Sequence, residues 1–153
     1  MTRKILNWST GAVIWEGDAE TVKDAIHAAI AARANLSRAN LSRAHLSEAN
    51  LSEANLSWAN QLMPPMVLLA NWGDVSDDLC ADLMNYDASN HPDGAVAFAA
   101  WVAGGVCPYA GCRVARSANF TERKACYRPE RPLQSALQLM DRLLAEKTKT
   151  IIG

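Results

Sequence analysis

One five-residue unit recurs with little change across residues 34–60: ANLSR, ANLSR, AHLSE, ANLSE, ANLSW and a final AN. Nothing else in the chain restricts its fold as strongly, because a period of five fits neither common secondary structure. Along an α-helix, five residues advance the chain roughly 140° beyond a full turn, which scatters the leucines around the cylinder. Along a strand, side chains alternate with a period of two, so an odd repeat sends successive leucines to opposite faces. A coil that turns a corner at every unit keeps each Leu and each Ala inside.

The flank before the repeat reads as a β-hairpin and a helix. Residues 4–8 and 12–16 are short apolar runs separated by Ser9-Thr10-Gly11, which is turn chemistry, and Gly17-Asp18 ends the second run. Thr21 and Asp24 have the spacing of a capping box ahead of Ala25, Ile26, Ala29 and Ile30. Stacked coils leave their interior open at each end, so this helix is expected to cap the first one. The repeat fails at Gln61, where a Leu is due, and Met63-Pro64-Pro65 ends regular structure before an apolar run at 66–70. These breaks divide the chain into a hairpin and capping helix (1–33), the repeat (34–60), a linker (61–73) and a helical domain (74–153).

In the helical domain, Ser76 is placed to cap a helix whose first turn holds Asp77 and Asp78 and whose face holds Leu79, Leu83 and Tyr86. After His91-Pro92-Asp93 an alanine-rich helix is expected over 95–103, with Phe98 and Trp101 as packing groups and Gly104-Gly105 as its stop. A loop through Cys107, Tyr109 and Cys112 leads to an expected helix at 118–127. Pro129 and Pro132 mark a break. The last helix is expected at 133–146, with Leu133, Leu137, Met140 and Leu144 at helical spacing, followed by a frayed tail at 147–153.

The chain has 153 residues, half of them apolar and a fifth charged, with a net charge of −1. That suits one compact unit, or two small ones sharing an interface. No apolar stretch approaches the roughly 20 residues of a membrane span. The N-terminus lacks the apolar core of a signal peptide. A cytoplasmic protein of a bacterial host cell is the expectation, with Cys80, Cys107, Cys112 and Cys126 reduced. The near-neutral total hides two opposed tracts. Six aspartates and no Lys or Arg lie between Trp72 and Gly94, whereas six basic residues and two glutamates lie between Arg113 and Arg131. Such tracts either face solvent or each other within the fold, or form a polarised surface that docks a partner.

The A-N-L-S-x units resemble the pentapeptide-repeat family, which folds as a right-handed, four-sided β-helix. The resemblance implies an α+β chain: a short quadrilateral β-helix with an N-terminal hairpin and capping helix, followed by an α-helical domain. It places Leu36, Leu41, Leu46, Leu51 and Leu56 inside, together with the leading alanines from Ala34 to Ala59. Asn35, Asn40, His45, Asn50 and Asn55 lie outside or at corners. Residues twenty apart stack, which sets Trp58 beside Arg38. Longer members of the family mimic DNA in shape and negative charge. Here Arg38 and Arg43 offset Glu48 and Glu53, and five units close barely more than one coil, which argues against that role. The whole chain also resembles small bacteriophage and prophage proteins, through TGAVIWEGDAETVKDAI and NHPDGAVAFAAWVAGGVCPYAGCRVARSANFTERK. By analogy, this implies binding to, and inhibition of, a host protein or defence complex.

The expected function is therefore a non-enzymatic protein-binding module that occludes its partner sterically and electrostatically. Its candidate contact residues are Asp74, Asp77, Asp78, Asp82 and Asp87 on the acidic side, or Arg113, Arg116, Arg123, Arg128 and Arg131 on the basic side. Trp58, at an outward corner of the repeat, is either a contact anchor or packed beneath the helical domain. One alternative is a zinc-stabilised nucleic-acid-binding module, with Cys107, Cys112, Cys126 and His91 as ligands and Tyr109, Phe120 and Tyr127 as stacking groups. The ligand spacing lacks the paired short gaps of common zinc sites, so no metal or cofactor is expected. A third reading is a self-assembling structural protein, dimerising through the open end of the coil. A nucleophile built from Cys107, His91 and Asp87 or Asp93 has no catalytic signature around it, and no phosphate loop or HExxH motif is present.

Overall fold

The computed structural model describes residues 1–41, 51, 56, 62, 64–111 and 120–152. Its described elements are helices plus a two-stranded sheet, an α+β composition. Strand β1 (Thr2–Leu6) pairs antiparallel with β2 (Val13–Asp18), in a register that sets Lys4 opposite Glu16 and Ile5 opposite Trp15, with a bulge between Ile5 and Leu6. The connecting turn forms as its residues dictate. Asn7 Oδ1 accepts from the N–H groups of Ser9 and Thr10 (2.8 and 3.1 Å), and Gly11 takes a left-handed conformation at φ 72°.

The hairpin is joined to the first repeats by backbone hydrogen bonds. Trp8 N–H donates to the Arg38 carbonyl (2.9 Å) and Asn40 N–H to the Leu6 carbonyl (2.7 Å). Asn35 Oδ1 accepts from Ser37 N–H (2.9 Å) and Arg38 lies at φ 60°, so the chain turns at this unit. Leu36, Ala39, Leu41, Leu51 and Leu56 are all 0–2% exposed, as a coil with an aliphatic interior requires. Leu46 lies outside the described residues. Helix α1 (Val22–Ala31) starts at a complete capping box, Asp24 N–H to Thr21 Oγ1 (3.1 Å) and Thr21 N–H to Asp24 Oδ2 (3.0 Å). It packs against both strands, and its buried Ala25, Ile26 and Ala29 belong to the same apolar cluster as the repeat leucines.

The stretch expected as a linker is folded into the core. Pro64–Leu68 forms a short helix, α2, rather than a break. Both prolines sit in its first turn, where a missing N–H removes no intrahelical bond. Val67 and Leu68 are buried, and the buried Trp72 indole donates Nε1–H to the Val67 carbonyl (2.8 Å).

Helix α3 (Asp77–Ser89) begins at Ser76, whose hydroxyl accepts from Leu79 N–H (3.3 Å). It is the central helix: eight of its thirteen residues are buried. Helix α4 (Gly94–Val102) follows after a tight turn. Gly94 permits that turn, since a Cβ there would lie 2.0 Å from the Ala88 carbonyl oxygen. Of the helix expected at 118–127, residues 118 and 119 lie outside the described residues, the buried Phe120 is helical, and a separate 3₁₀ turn follows at Lys124–Cys126. The Arg128 guanidinium donates to the carbonyls of Ala125 and Tyr127, the acceptors a continuing helix would use, and Pro129 follows.

The last helix, α5 (Ala136–Ile152), starts later and ends later than expected. Ser135 and Gln138 form a capping box (Gln138 N–H to Ser135 Oγ 3.2 Å, Ser135 N–H to Gln138 Oε1 2.9 Å), which fixes the start and leaves Leu133 outside. Its buried stripe is Leu139, Met140, Leu143 and Lys147, whereas Leu133 and Leu137 are exposed. The helix continues through Ile152 where a frayed tail was expected from 147, and residues 146 and 147 are tied to the start of α3. Glu146 accepts from the Ser76 N–H and hydroxyl (2.6 and 2.8 Å), and Lys147 Nζ donates to the Asp74 carbonyl.

Candidate functional site

The two charged tracts meet each other along one side of α3. Asp82 is 2% exposed, in the middle of that helix. Arg131 reaches it with a two-pronged contact, Nε to Oδ1 at 2.8 Å and Nη2 to Oδ2 at 3.0 Å, and its Nη1 binds Asp78 (3.0 Å). Arg142 of α5 adds a third charged donor to Asp82, and Gln134 a weaker neutral one at 3.3 Å. Burial alone pushes the Asp82 carboxyl up, but the hydrogen bonds and charges of Arg131 and Arg142 outweigh it and hold it below the usual carboxylate range. At the start of α3, Arg123 binds Asp77 (2.7 Å). Asp77 is held low chiefly by that hydrogen bond, with a second from Cys126.

The candidate contact residues therefore fall into distinct environments. Asp82 is inside the fold. Asp77 and Asp78 remain largely exposed while paired to Arg123 and Arg131, and Asp74 is exposed. Asp87 is half-buried and accepts the Tyr109 hydroxyl at 2.6 Å. Arg128 is directed at its own loop carbonyls. Arg113, Arg116 and Trp58 lie outside the described residues. Arg142 was not among the residues singled out from the sequence; it sits on the polar side of an ordinary amphipathic helix, where no local signal distinguishes it.

The residues considered for zinc are not brought together. Cys126 lies beside Asp77 (3.6 Å) and Cys80, Cys107 opens a turn closed by Ala110 N–H, and His91 lies between α3 and α4. Cys112 lies outside the described residues, among which no group of three metal-ligating side chains occurs. Burial pushes the Cys80 thiol up to about 12, so it stays protonated at neutral pH. Tyr109, Phe120 and Tyr127, the candidate stacking groups, are buried in a ring cluster with Phe98 and Trp101, centroids 5.0–6.1 Å apart, and offer no platform for bases.

Two further features lie on opposite sides of α4. On its inner side a cleft of about 450 Å³ opens between α2, α3, α4 and the turn at 107–111, lined by Leu69, Tyr86, Asp87, His91, Phe98 and Tyr109 among others. On its outer side Val96 is 73% exposed, Val102 49% and, just beyond the helix, Val106 82%. Ala95, Ala99, Ala100 and Ala103 are exposed around them. The sequence signal for this face was available: residues 94–112 contain no charged residue at all.

Residues 32–60 match the family model described as pentapeptide repeats (8 copies). The chain carries pentapeptide repeats. The matched stretch is 29 of 153 residues and has room for five complete units, so the family accounts for the repeat and leaves the helices to be read from their own geometry. None of the curated proteins and none of the solved structures matches the chain. Among the described residues no helix is long and apolar enough to cross a membrane.

Proposed function

We propose that the chain is a non-enzymatic protein-binding module whose main contact surface is the outer face of α4. One observation carries this reading: Val96 and Val102 of α4, and Val106 just beyond it, stand in solvent amid exposed alanines, on a stretch without a single charged side chain. Scattered exposed apolar residues are ordinary, but a contiguous uncharged patch marks a surface that something covers. The absence of Lys and Arg over 94–112 removes the attraction an anionic lipid surface would need, so the proposed occupant is a partner protein with an uncharged apolar patch. In keeping with the phage-protein resemblance, that partner is a host protein whose working surface is sterically blocked. The repeat, closing as a four-sided coil, is the rigid platform behind the helices. This is supported by its buried leucines and by the Leu51 N–H to Asn71 carbonyl bond (2.6 Å) that joins it to the following segment.

The test is capture from bacterial lysate by the full chain and by a Val96→Lys/Val102→Lys double variant. A protein held by the first at high salt and released by the second, at equal thermal stability, supports the reading. Capture that is unaffected by the double variant but lost in high salt would return the contact to the charged residues of α3. A concentration-dependent dimer that the double variant abolishes would identify the occupant as a second copy, which the small residues Ala95, Ala99 and Ala103 at helical spacing favour by permitting close helix approach.

A further inference from the structure

We propose that the free edge of β1 is a docking site for an extended, acidic segment of a partner protein, which joins the hairpin as a further strand. The site is independent of the α4 face. Among the described residues, no strand other than β2 pairs with β1 over Thr2–Ile5. Hydrogen-bond parity identifies the groups left at the edge. Ala19 N–H donates to the Met1 carbonyl (3.0 Å), so the register places Arg3 and Ile5 in hydrogen-bonded pairs with Gly17 and Trp15. The backbone N–H and C=O of Thr2 and Lys4 therefore point away from β2. Further along the same edge the hairpin already accepts a strand. Asn40 N–H donates to the Leu6 carbonyl (2.7 Å) and Trp8 N–H to the Arg38 carbonyl (2.9 Å), around an antiparallel bridge between Asn7 and Ala39. An incoming segment would prolong this pairing toward Thr2 and add about four backbone hydrogen bonds, two each to Thr2 and Lys4.

A groove of about 360 Å³ runs beside this edge, with residues 1–6 as one wall and Val22, Ala25 and Leu41 among the others. It suits the alternation of a strand. Side chains facing inward would meet Val22, Ala25 and Leu41, which are apolar, and those facing outward would lie beside the exposed Thr2 and Lys4. Among the described lining residues Arg3 and Lys4 are basic, and none is Asp or Glu. Arg3 is held by its Nε and Nη2, which donate to the carbonyls of Ala19 and Glu20 at 2.6–3.2 Å, and its Nη1 has no partner among the described residues. Lys4 pairs with Glu16 at 3.2 Å, but the two side chains are 53% and 45% exposed, and such surface pairs are weak enough to exchange for a partner's carboxylate. The groove is thus complementary to a segment that carries carboxylates. A second copy fits poorly, because antiparallel pairing through both Thr2 and Lys4 would set two Arg3 side chains opposite each other.

The test titrates three short peptides into the full chain and follows its amides by two-dimensional NMR. The probes are acetyl-VEVEV-amide, the same peptide with lysine in place of glutamate, and the glutamate peptide N-methylated at both glutamates. The glutamate peptide is expected to bind about five- to tenfold tighter than the lysine peptide. Shifts should centre on residues 2–6, 22, 25 and 41, with slowed hydrogen exchange at the Thr2 and Lys4 amides. The N-methylated peptide cannot donate to the Thr2 and Lys4 carbonyls and should not bind. Lys4→Pro removes an outward N–H without touching a bond to β2, at an edge position where proline is tolerated, and should abolish binding. Should that variant fail to fold, Lys4→Glu decides the matter by bringing the glutamate peptide down to the affinity of the lysine peptide. No binding of any peptide at about millimolar concentration, undiminished binding of the N-methylated peptide, or no preference for glutamate overturns the proposal. So does a dimer in sedimentation that Lys4→Pro abolishes, which would assign the edge to a second copy.

Discussion

The side of α3 that faces Arg131 and Arg142, and the outer face of α4, reverse the usual distribution of polarity in opposite ways. At the first, a carboxylate is taken out of water. At the second, valines are left in it. The first reversal is resolved within the chain, because Asp82 meets two guanidinium groups and an amide that replace its hydration. The second has no counterpart among the described residues. A sequence rich in charge at 72–94 and 113–131 thus directs much of that charge at itself, while the uncharged stretch between those tracts supplies the exposed valines. Charge in the sequence marks cohesion here, and its absence marks the exposed apolar face to which we assign the contact.

The sharpest way to break this comparison is to remove the buried carboxylate. Asp82→Ala leaves Arg131 and Arg142 facing each other beside a small void, and breaking a buried ion pair from one side costs about 3–5 kcal/mol. Denaturant unfolding should show a loss of that order. A loss below about 1 kcal/mol would mean that water serves Asp82 as well as the arginines do, and that the two regions are not opposites after all. Acid probes the same contact more gently. The Asp82 carboxyl is lower in the folded chain than its unfolded value of about 3.9, so its contribution is present above that pH and is lost as pH falls through the folded value. Stability measured from pH 7 downward should therefore decline below about pH 4, and Asp82→Asn should flatten that part of the curve.

Where residues act on near neighbours, the sequence was legible. The repeat implied inward leucines, and Leu36, Leu41, Leu51 and Leu56 are buried; Thr21 with Asp24 and Ser76 with Leu79 cap their helices as their spacing suggests. Legibility stopped where distant groups compete for the backbone or for a charge. No local pattern tells that Arg128 will take the carbonyls of Ala125 and Tyr127, or that Arg142 crosses to Asp82, sixty residues away. The opposed tracts suggested either mutual pairing or a docking surface, and only the fold brings Arg131 to Asp78 and Asp82. Leu133 and Leu137 had the right spacing for a buried stripe, yet the Ser135–Gln138 box sets the helix in a different phase and both stay outside.

That box supplies a smaller test. Ser135 orients α5, the helix that brings Arg142 to Asp82, so its cap bears on the buried side of the comparison. Ser135→Ala should cost about 1 kcal/mol, typical of a lost N-cap. Combined with Asp82→Ala, the two losses should add to less than their sum, because an α5 already released from Asp82 depends less on its starting angle. Strict additivity in a double-mutant cycle would separate the cap from the ion pair.

The smallest expected effect bears on the other side of the comparison. Val96 is 73% exposed on α4, and lysine has a slightly better helix propensity than valine. Val96→Lys should therefore change unfolding free energy by no more than about 0.5 kcal/mol, as surface substitutions usually do. A change of that size, alongside the large loss from Asp82→Ala, would show that the chain itself makes no use of the most exposed valine of α4. A destabilisation of about 2 kcal/mol or more would have the opposite meaning: Val96 would be packed in solution, either by the chain or by a second copy, and sedimentation at two concentrations would separate those two. A near-zero effect on folding leaves contact with another molecule as the property that the uncharged face of α4 contributes.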